Sequence, residues 1–305
     1  MGRWVMTITL TAAALGSPAA DSVYHAKIGK WRQQREARLK SDDGWLAVAG
    51  LFWLEEGPNN FGSDPGNAIV LPAGRAPDVA GTFELKQGKV TVHVDPTRAT
   101  VMSSGKPVTT MELRSDEPGP ADVLTLGRLS LHLITRGGRH GIRMKDPESE
   151  ARRSFAGLAW FPVREDMRVE ARFVPWPSRR TIPIPNVLGQ VNDLPSPGYA
   201  EFSLAGRTLR LEPVIEEPGA PELFFIFRDQ TAGKETYPAG RFLYAPMPKD
   251  GAVVLDFNKA YSPPCAFTAY ATCPLPPPQN RLPVRIEAGE KDPHRHPDKP
   301  PSVRR

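Results

Sequence analysis

The sequence predicts a mainly β protein: an antiparallel β barrel or sandwich-like sheets, with one N-terminal amphipathic helix and long proline-rich loops. The 34 prolines and 26 glycines of the 305 residues are spread along the chain, as in folds with many short strands joined by tight turns. Apolar runs of strand length recur between these turn residues. Strands do not alternate with helices in the sequence pattern, which argues against a doubly wound nucleotide-binding fold.

Residues 1–19 predict a secretory signal peptide. Arg3 precedes an apolar run over residues 4–15, and Ser17 and Ala19 have the spacing that signal peptidase accepts. We therefore expect cleavage near Ala19 and an exported protein, either periplasmic or secreted. The alternative is that the run forms a buried first strand. The run is too short for a transmembrane span, so we expect none in the mature chain.

The following segment, residues 20–44, predicts a helix over residues 21–40. Ile28, Trp31 and Leu39 recur near helical spacing, and charged residues fill the other positions. Asp21 or Ser22 is available as the N-cap. We expect this helix to cover one end of a sheet or barrel.

Residues 45–290 predict a single β-rich domain, with a possible subdivision near residues 145–157, where charges and a proline interrupt the strand pattern. Tight hairpin turns are predicted at residues 85–90 and 205–207. The predicted strands are residues 45–54, 68–71, 90–94, 108–113, 123–126, 129–135, 169–174, 179–184, 199–204, 208–214, 223–228, 241–244 and 252–257.

The charge distribution argues against a nucleic-acid partner. The formal net charge is +5, but most of this excess lies in residues 291–305, where basic residues outnumber acidic ones. The rest of the chain is nearly neutral and lacks the basic stripe interleaved with aromatic residues that nucleic-acid binding requires. The tail, residues 291–305, has almost no apolar side chain to bury, so we expect it to be disordered.

Cys265 and Cys273 lie in a proline-rich segment, and three interpretations are open. They are packed structural thiols, or they form a disulfide that clamps the loop of an exported protein, or Cys265 is a reactive thiol that a base such as His140 activates. A metal site would need further ligands, and neither a CxxC nor an HxxxH motif supplies them. We predict no cofactor, and the sequence leaves metal dependence and oligomeric state undetermined.

Residues 136–146, RGGRHGIRMKD, are a candidate binding loop. Glycines let backbone amides approach a ligand closely, and the guanidinium groups of Arg139 and Arg143 have the planar geometry that binds carboxylate or phosphate. The alternative is an ordinary Gly-Gly hairpin with exposed basic residues. The segment lacks the GK[ST] sequence of a P-loop.

Polar residues at the end of the last predicted strand form another candidate site. Asp256 and Asn258 lie on one face of a strand because side chains alternate, and a carboxylate here or at Glu290 can act as a general base or metal ligand. Tyr261 follows in the same segment. The alternative is that Asp256 and Asn258 only hydrogen-bond loop amides at the end of the strand.

Three segments of the chain resemble the family called domain of unknown function 1684 (DUF1684). They are GWLAVAGLFWLEEGPNNFGS, RHGIRMKDPESEARRSFAGLAWFPV and GRFLYAPMPKDGAVVLDFNKAYSPPCAFTAYATCPLPPPQNRLPVRIEAGE, at residues 44–63, 139–163 and 240–290. The resemblance extends over residues 45–290. It implies a shared β-rich domain and no known reaction.

The first functional hypothesis is an exported binding protein. It holds a small ligand in a pocket between residues 137–146 and 256–290, and the arginines favour an anionic ligand. The candidate ligand-binding residues are Arg139, Arg143, Asn258 and Tyr261.

The alternative hypothesis is a cell-envelope hydrolase. It would use His140 together with Asp256 or Glu290, with or without a metal ion. This chemistry requires the imidazole and a carboxylate within hydrogen-bonding reach. The GxSxG and HExxH motifs of familiar hydrolases are absent from the sequence.

Overall fold

The computed structural model of the chain describes residues 18–295, and its architecture is mainly β. Several antiparallel sheets and one long N-terminal helix confirm the predicted fold class. The predicted signal segment lies almost entirely outside the described residues. The helices are α1 (Pro18–Lys40) and α2 (Glu150–Arg153), with single 3-10 turns at Trp45–Ala47, Glu165–Met167, Phe257–Lys259, Pro264–Ala266 and Pro278–Asn280.

The strands of the described chain include several that the sequence analysis missed, among them two within residues 57–86. They are β1 (Val48–Trp53), β2 (Gly57–Gly62), β3 (Ile69–Val70), β4 (Gly81–Lys86), β5 (Lys89–Val94), β6 (Val101–Ser103), β7 (Lys106–Pro107), β8 (Thr110–Glu112), β9 (Val123–Leu126), β10 (Leu129–Arg136), β11 (Arg139–Lys145), β12 (Arg168–Pro185), β13 (Val191–Leu204), β14 (Arg207–Leu211), β15 (Glu222–Phe227), β16 (Arg241–Pro246) and β17 (Ala252–Asp256).

Strands β1 to β11 form two sheets, which we call the N-terminal sheets. Their strand orders are β1-β11-β10-β9-β6-β7 and β3-β2-β4-β5-β8. Successive residues of a strand point to opposite faces, and the apolar faces of the two sheets share one core. Phe61 and Phe83 enter this core from the second sheet, and Leu131 and Ile142 enter it from the first. This shared core agrees with the sandwich-like alternative of the prediction.

Residues 136–146, the candidate binding loop, form the Gly-Gly hairpin that was the alternative interpretation of this segment. Gly137 and Gly138 form the turn, with φ angles of 55° and 77°, a region that side chains other than glycine rarely adopt. Strand β11 then pairs with β10 on one side and β1 on the other. Its arginines and lysine mask the apolar alternation of a strand, which is why sequence reasoning placed a loop here.

Strands β12 to β17 form the C-terminal sheets, in the orders β14-β13-β12-β17 and β15-β16. Their core includes Phe202 and Leu211 from one sheet and Phe225 and Leu243 from the other. Strand β12 is one long strand where two were predicted, with an irregularity in its pairing to β13 between Pro175 and Arg180. The predicted hairpins at residues 85–90 and 205–207 are confirmed as the β4–β5 and β13–β14 turns.

A buried ion pair fastens residues 282–288 to the C-terminal core. Arg241 and Asp229 are each 1% exposed, and Nη2 of Arg241 lies 2.6 Å from Oδ2 of Asp229. The same guanidinium group donates to the carbonyl of Ile286 at 2.9 Å and to that of Ala288. Asp229 also accepts from the backbone N–H of Thr231 at 2.7 Å. The pair therefore joins β16 to two irregular segments that have few ladder hydrogen bonds of their own.

Helix α1 packs against both halves of the molecule. It begins at Pro18, three residues before the predicted start, and proline suits the first turn of a helix. Ile28 and Leu39 are buried on its inner side, and Arg32 donates to the carbonyl of Phe161 at 2.9 Å. No helix within residues 18–295 is long and apolar enough to cross a membrane.

The beginning of the predicted disordered tail makes defined contacts. The backbone N–H of Lys291 donates to the carbonyl of Ala159, and that of Asp292 donates to Glu235, at 2.8 and 2.9 Å. The folded region therefore continues beyond residue 290, up to residue 295. Residues 296–305 lie outside the described residues.

We expect removal of Asp229 to destabilise the protein strongly. In Asp229→Ala, the Arg241 guanidinium group stays buried without its counter-charge, which costs about 3–5 kcal/mol of unfolding free energy. Urea denaturation measures this loss. The control is Glu112→Ala, which removes an exposed partner of Lys89 and should cost less than about 1 kcal/mol. Similar losses in the two variants would contradict the role given to the buried pair.

Candidate functional site

Two adjacent cavities lie where the N-terminal sheets, the C-terminal sheets and α1 meet. The outer cavity has a volume of about 670 Å³, and Arg38 and Lys259 are among its lining residues. The central cavity has a volume of about 450 Å³ and reaches Arg136 at the end of β10 and Cys273. The residues that line both cavities are Arg35, Trp45, Tyr244 and Tyr261.

Aromatic rings form one wall of the central cavity. Phe224 and Tyr244 are opposite each other on β15 and β16, and their rings stack with centroids 4.7 Å apart. Tyr244 also stacks on Tyr261 at 6.4 Å, and Phe242 meets Tyr261 edge-on at 5.9 Å. Backbone hydrogen bonds in both directions hold Tyr261 beside Phe242. The result is an apolar wall against which a flat ligand group can pack.

This wall has a polar edge at Tyr244. Its hydroxyl donates to Oε2 of Glu216, which also lines the central cavity. Burial raises the pKa of the Glu216 carboxyl and, more strongly, the pKa of the Tyr244 phenol. Asn186 and Asn192 add amide groups to the cavity lining. The central cavity can therefore hydrogen-bond a ligand as well as pack against it.

Arg35 brings a positive charge from α1 into both cavities. Its Nη2 donates to the carbonyl of Ser262 at 3.0 Å, and its Nε lies 3.4 Å from Oε2 of Glu290. The guanidinium carbon is 4.5 Å from the centroid of the Tyr261 ring, within the range of a cation–π contact. The helix is thus fastened to the segment that carries the aromatic wall.

Glu290 is the buried partner of Arg35. Its side chain is 0% exposed, and burial raises the pKa of its carboxyl group. Gly289 precedes it with a φ of 81°, and a Cβ at that position would lie 2.4 Å from the carbonyl oxygen of Ala260. Glycine is therefore required where the chain turns to place Glu290 beneath Arg35.

Arg136 is a second arginine of the central cavity, and its charge is compensated. Its Nη2 lies 2.7 Å from Oδ2 of Asp116, and its Nη1 lies 3.1 Å from Glu117. Burial alone would raise the pKa of Asp116, but the hydrogen bonds and charge of Arg136 hold it below its usual range. Nε of Arg136 donates to Oγ1 of Thr272 at 3.1 Å, which ties β10 to the cysteine-containing segment.

Arg143 differs from these arginines because its charge has no ion-pair partner among the described residues and is opposed by the more distant carboxylate of Asp116. Arg143 is 5% exposed, and its Nε and Nη2 are buried without a hydrogen-bond partner. No ion pair to Arg143 is present among residues 18–295. Burial lowers the pKa of its guanidinium group to about 10, and repulsion by Arg136 acts in the same direction. The guanidinium carbon lies 5.3 Å from the ring of Trp45, which lines the central cavity.

The two cysteines are adjacent and unbridged. Both are free thiols, and the backbone N–H of Cys265 donates to Sγ of Cys273 at 3.1 Å. Cys273 is buried and Cys265 is half-buried. The fold therefore brings together the two cysteines of the predicted disulfide, and the disulfide itself stays a prediction. No group of three or more potential metal ligands is present in the described part of the chain.

The structure separates the components of the predicted hydrolase site. Nδ1 of His140 lies 3.0 Å from Oγ1 of Thr135 on the neighbouring strand. Across residues 18–295, no hydrogen bond or ion pair joins His140 to Asp256 or Glu290. Glu290 is instead paired with Arg35. The acid–base chemistry of the hydrolase hypothesis therefore lacks the contact that it requires.

Asp256 and Asn258 have structural partners. Oδ1 of Asp256 accepts a hydrogen bond from the hydroxyl of Tyr24 on α1 at 2.7 Å. Oδ1 of Asn258 accepts from the backbone N–H of Arg164 at 2.9 Å, and its amide donates back to the carbonyl of Arg164 at 2.6 Å. Asn258 thus bonds a backbone amide, as in the alternative interpretation, whereas Asp256 bonds the Tyr24 side chain of α1.

Among the predicted ligand-binding residues, Tyr261 lines the central cavity. Arg143 lies behind Trp45, which is another residue of the cavity lining. Arg139 is exposed and covers the ring of Trp53 at 4.5 Å. Sequence reasoning missed Arg35, Arg136, Glu216 and Tyr244. Phe224 and Ile226 are two positions apart on one strand, as are Phe242 and Tyr244 on the next, and this spacing was a usable signal for a shared apolar and aromatic face. Nothing in the sequence distinguishes Arg35 from the other basic residues of α1.

The fold and the site define a β-rich protein with cavities between its N-terminal and C-terminal sheets. The chain belongs to the family described as protein of unknown function (DUF1684), whose model matches residues 153–291. This range contains the C-terminal sheets, the aromatic wall and both cysteines. Residues 45–152, which the sequence analysis included in the resemblance, lie outside the matched range.

Solved structures offer partial similarity. The chain is similar to an uncharacterised protein of Haloarcula marismortui solved by solution NMR, with 31% identity over 48% of this chain and 81% of that chain and a TM-score of 0.40. An FHA-2 domain of a Mycobacterium tuberculosis ABC transporter shares 22% identity over 30% of this chain and 77% of that domain, with a TM-score of 0.23. Neither likeness is close enough to carry a functional inference. No curated protein matches the chain.

The charges around Arg143 predict a pH-dependent stability. His132 is opposite Arg143 in the β10–β11 pairing. The pKa of its imidazole is lowered to about 4, mainly by burial and further by the positive charges of Lys145, Arg143 and Arg136. The carboxylate of Asp116 has the opposite effect on this pKa. An unfolded histidine has a pKa of about 6.5. The unfolded chain then binds the proton more readily, so stability is lost as the pH falls from about 6.5 to about 4.

We expect His132→Gln to remove this loss, which is on the order of 2 kcal/mol. The measurement is the free energy of unfolding of wild type and variant by urea denaturation at several pH values across that window. His93→Gln, which removes an exposed imidazole on β5, is the control and should keep the wild-type pH dependence. An unchanged slope in His132→Gln would rule out His132 as its source.

Proposed function

We propose that the protein binds a small anionic ligand with a flat apolar body in the central cavity, and that its anionic group displaces the Trp45 ring to reach Arg143 behind it. The observation that carries the proposal is the buried guanidinium group of Arg143, which has two nitrogens without partners. A buried cation without a counter-ion lowers the stability of the ligand-free protein. A bound anion would remove that cost, and the free energy recovered in this way would add to its affinity.

The neighbouring arginines support the choice of Arg143. Arg35 and Arg136 line the central cavity directly, but Glu290 and Asp116 already lie close to them. An anion beside either of these would compete with an existing carboxylate. Beside Arg143 it would find two unused donors in an arrangement suited to carboxylate or phosphate.

The remaining lining supports the apolar body of the ligand. The stacked rings of Phe224, Tyr244 and Tyr261 offer a face for a planar group. The Glu216–Tyr244 pair lies at the edge of that wall and favours a ligand with a hydroxyl or amine. A cavity that is largely aromatic with a few polar groups is typical of small-molecule sites.

We expect Arg143→Met to weaken anion binding without lowering the stability of the ligand-free protein. The probes are phenyl phosphate and benzoate, with benzyl alcohol as the neutral analogue and inorganic phosphate as the anion without a ring. Loss of a desolvated charge pair costs about 2–4 kcal/mol of binding free energy, on the order of 30- to 1,000-fold in Kd. Isothermal titration calorimetry gives the Kd, and thermal unfolding gives the Tm.

Arg139→Met is the matched control, since Arg139 lies on the same strand but is exposed over Trp53. It should leave both the Kd and the Tm near wild-type values. The Tm of ligand-free Arg143→Met should rise or stay unchanged, because replacing a buried charge by an apolar group of similar length is neutral or stabilising. Equal binding of the aromatic anions by wild type and Arg143→Met, or tighter binding of benzyl alcohol than benzoate, would disprove the proposal.

Export of the protein is a further part of this proposal, supported by the apolar run and small residues of segment 1–19. In fractionated cells of the source organism, the mature chain should be found outside the cytoplasm. Its intact mass should correspond to a chain that begins near residue 20. A full-length chain retained in the cytoplasm would contradict export.

A further inference from the structure

The two cysteines are held together by the surrounding fold. The backbone N–H of Cys265 donates to Sγ of Cys273 at 3.1 Å. The connecting segment is fixed at several points. Oγ1 of Thr268 donates to the carbonyl of Val48 at 3.0 Å, and the carbonyl of Cys273 accepts from the N–H of Val187 at 3.1 Å. The fold has therefore already closed the loop that a bond between the sulfurs would otherwise have to close.

The two thiols are not equivalent. Cys265 lies in the 3-10 turn Pro264–Ala266 and is half-buried. Cys273 is 3% exposed and forms part of the wall of the central cavity. A reagent from solution can therefore reach the first sulfur more readily than the second.

The electrostatic environment has the same asymmetry. The neighbouring Cys273 thiol lowers the pKa of Cys265, against the opposite effect of burial. The pKa of Cys273 is raised by the neighbouring Cys265 thiol and by burial. Because the thiolate is the reactive form, Cys265 has both the access and the ionisation of an attacking group.

We propose that Cys265 and Cys273 form a reversible dithiol–disulfide site, in which Cys265 attacks an incoming low-molecular-weight disulfide and Cys273 resolves the mixed disulfide. This site is independent of the anion-binding function proposed above. It adds a redox activity to the wall of the central cavity.

The exchange occurs in two steps. The Cys265 thiolate forms a bond to one sulfur of the disulfide RSSR, and the S–S bond of RSSR breaks to release one thiolate. Cys273 then loses its proton and attacks Sγ of Cys265, which expels the second thiolate. The two thiol protons of the protein end on the two released thiols, and two electrons pass from the cysteines to RSSR.

The experiment is an equilibrium of the full chain with glutathione buffers over a range of disulfide-to-thiol ratios. After acid quenching, the remaining thiols are alkylated with N-ethylmaleimide and the products are resolved by mass spectrometry. We expect both alkylation sites to disappear together at a single midpoint, with the loss of two hydrogen atoms in mass, and to return on addition of dithiothreitol. Two thiols that stay alkylatable at every ratio, or that each carry a glutathione, would overturn the proposal.

The assigned roles have their own test. In native wild type, a limiting pulse of N-ethylmaleimide should modify Cys265 at least about tenfold faster than Cys273, as peptide mapping measures, and the difference should vanish in urea. With glutathione disulfide, Cys273→Ser should retain glutathione on Cys265, because the resolving thiol is missing. Faster labelling of Cys273, equal native rates, or no mixed disulfide in Cys273→Ser would overturn the assignment.

Discussion

Ion pairs and hydrogen bonds of buried arginines hold the distant parts of this chain together. A guanidinium group removed from water needs an opposite charge or several acceptors nearby, and otherwise it destabilises the fold. Arg241 meets this need with Asp229 and thereby fixes residues 282–288 on the C-terminal core. Arg35 meets it with Glu290 and so fastens α1. The contacts of Arg241 with Ile286 and of Arg35 with Glu290 join residues 45 and 255 positions apart, which local secondary structure alone cannot do.

These contacts also explain where the cavities lie. Arg136 connects β10 to Asp116 and to Thr272, so the edge of the N-terminal sheets is held against the cysteine-containing segment. Arg35 holds α1 against Tyr261 on the other side. The space between them is thus bounded by polar contacts, and its apolar wall comes from β15 and β16. Arg143 lies behind Trp45 at the side of this frame, and within residues 18–295 it has no ion-pair partner, which lowers the stability of the fold.

The fold class could be read from the sequence because its signals are local. Apolar alternation and glycine turns are properties of a few neighbouring residues, and the hairpins at residues 85–90 and 205–207 were predicted on that basis. Strand β11 was missed because its arginines and lysine hide the alternation, although its neighbours on both sides bury most of it. Strand membership there depends on tertiary pairing, which residue patterns do not encode.

The site was harder to predict than the fold because its residues come from remote segments. Tyr261 and Cys273 were recognised from the segment that contains them, and the binding role considered for Arg143 rested on its guanidinium chemistry. Neither its burial nor its lack of a counter-ion is visible in sequence. The pairing of Glu290 with Arg35, instead of with His140, spans most of the chain. Only the folded arrangement distinguishes a carboxylate that is already paired from one free to act as a base.

The long hairpin of β12 and β13 forms one side of the central cavity. Ile184 and Leu194 of this hairpin line the cavity. At its tip, Gln190 donates to the carbonyl of Arg136 at 3.0 Å, and a Cβ on Gly137 would lie 2.5 Å from its amide nitrogen. The hairpin thus connects the sheet that it forms in the C-terminal half to the β10–β11 turn of the N-terminal sheets. A longer or shorter hairpin would therefore move Gln190 relative to Arg136 and Gly137, and with it the contact between the hairpin tip and the β10–β11 turn.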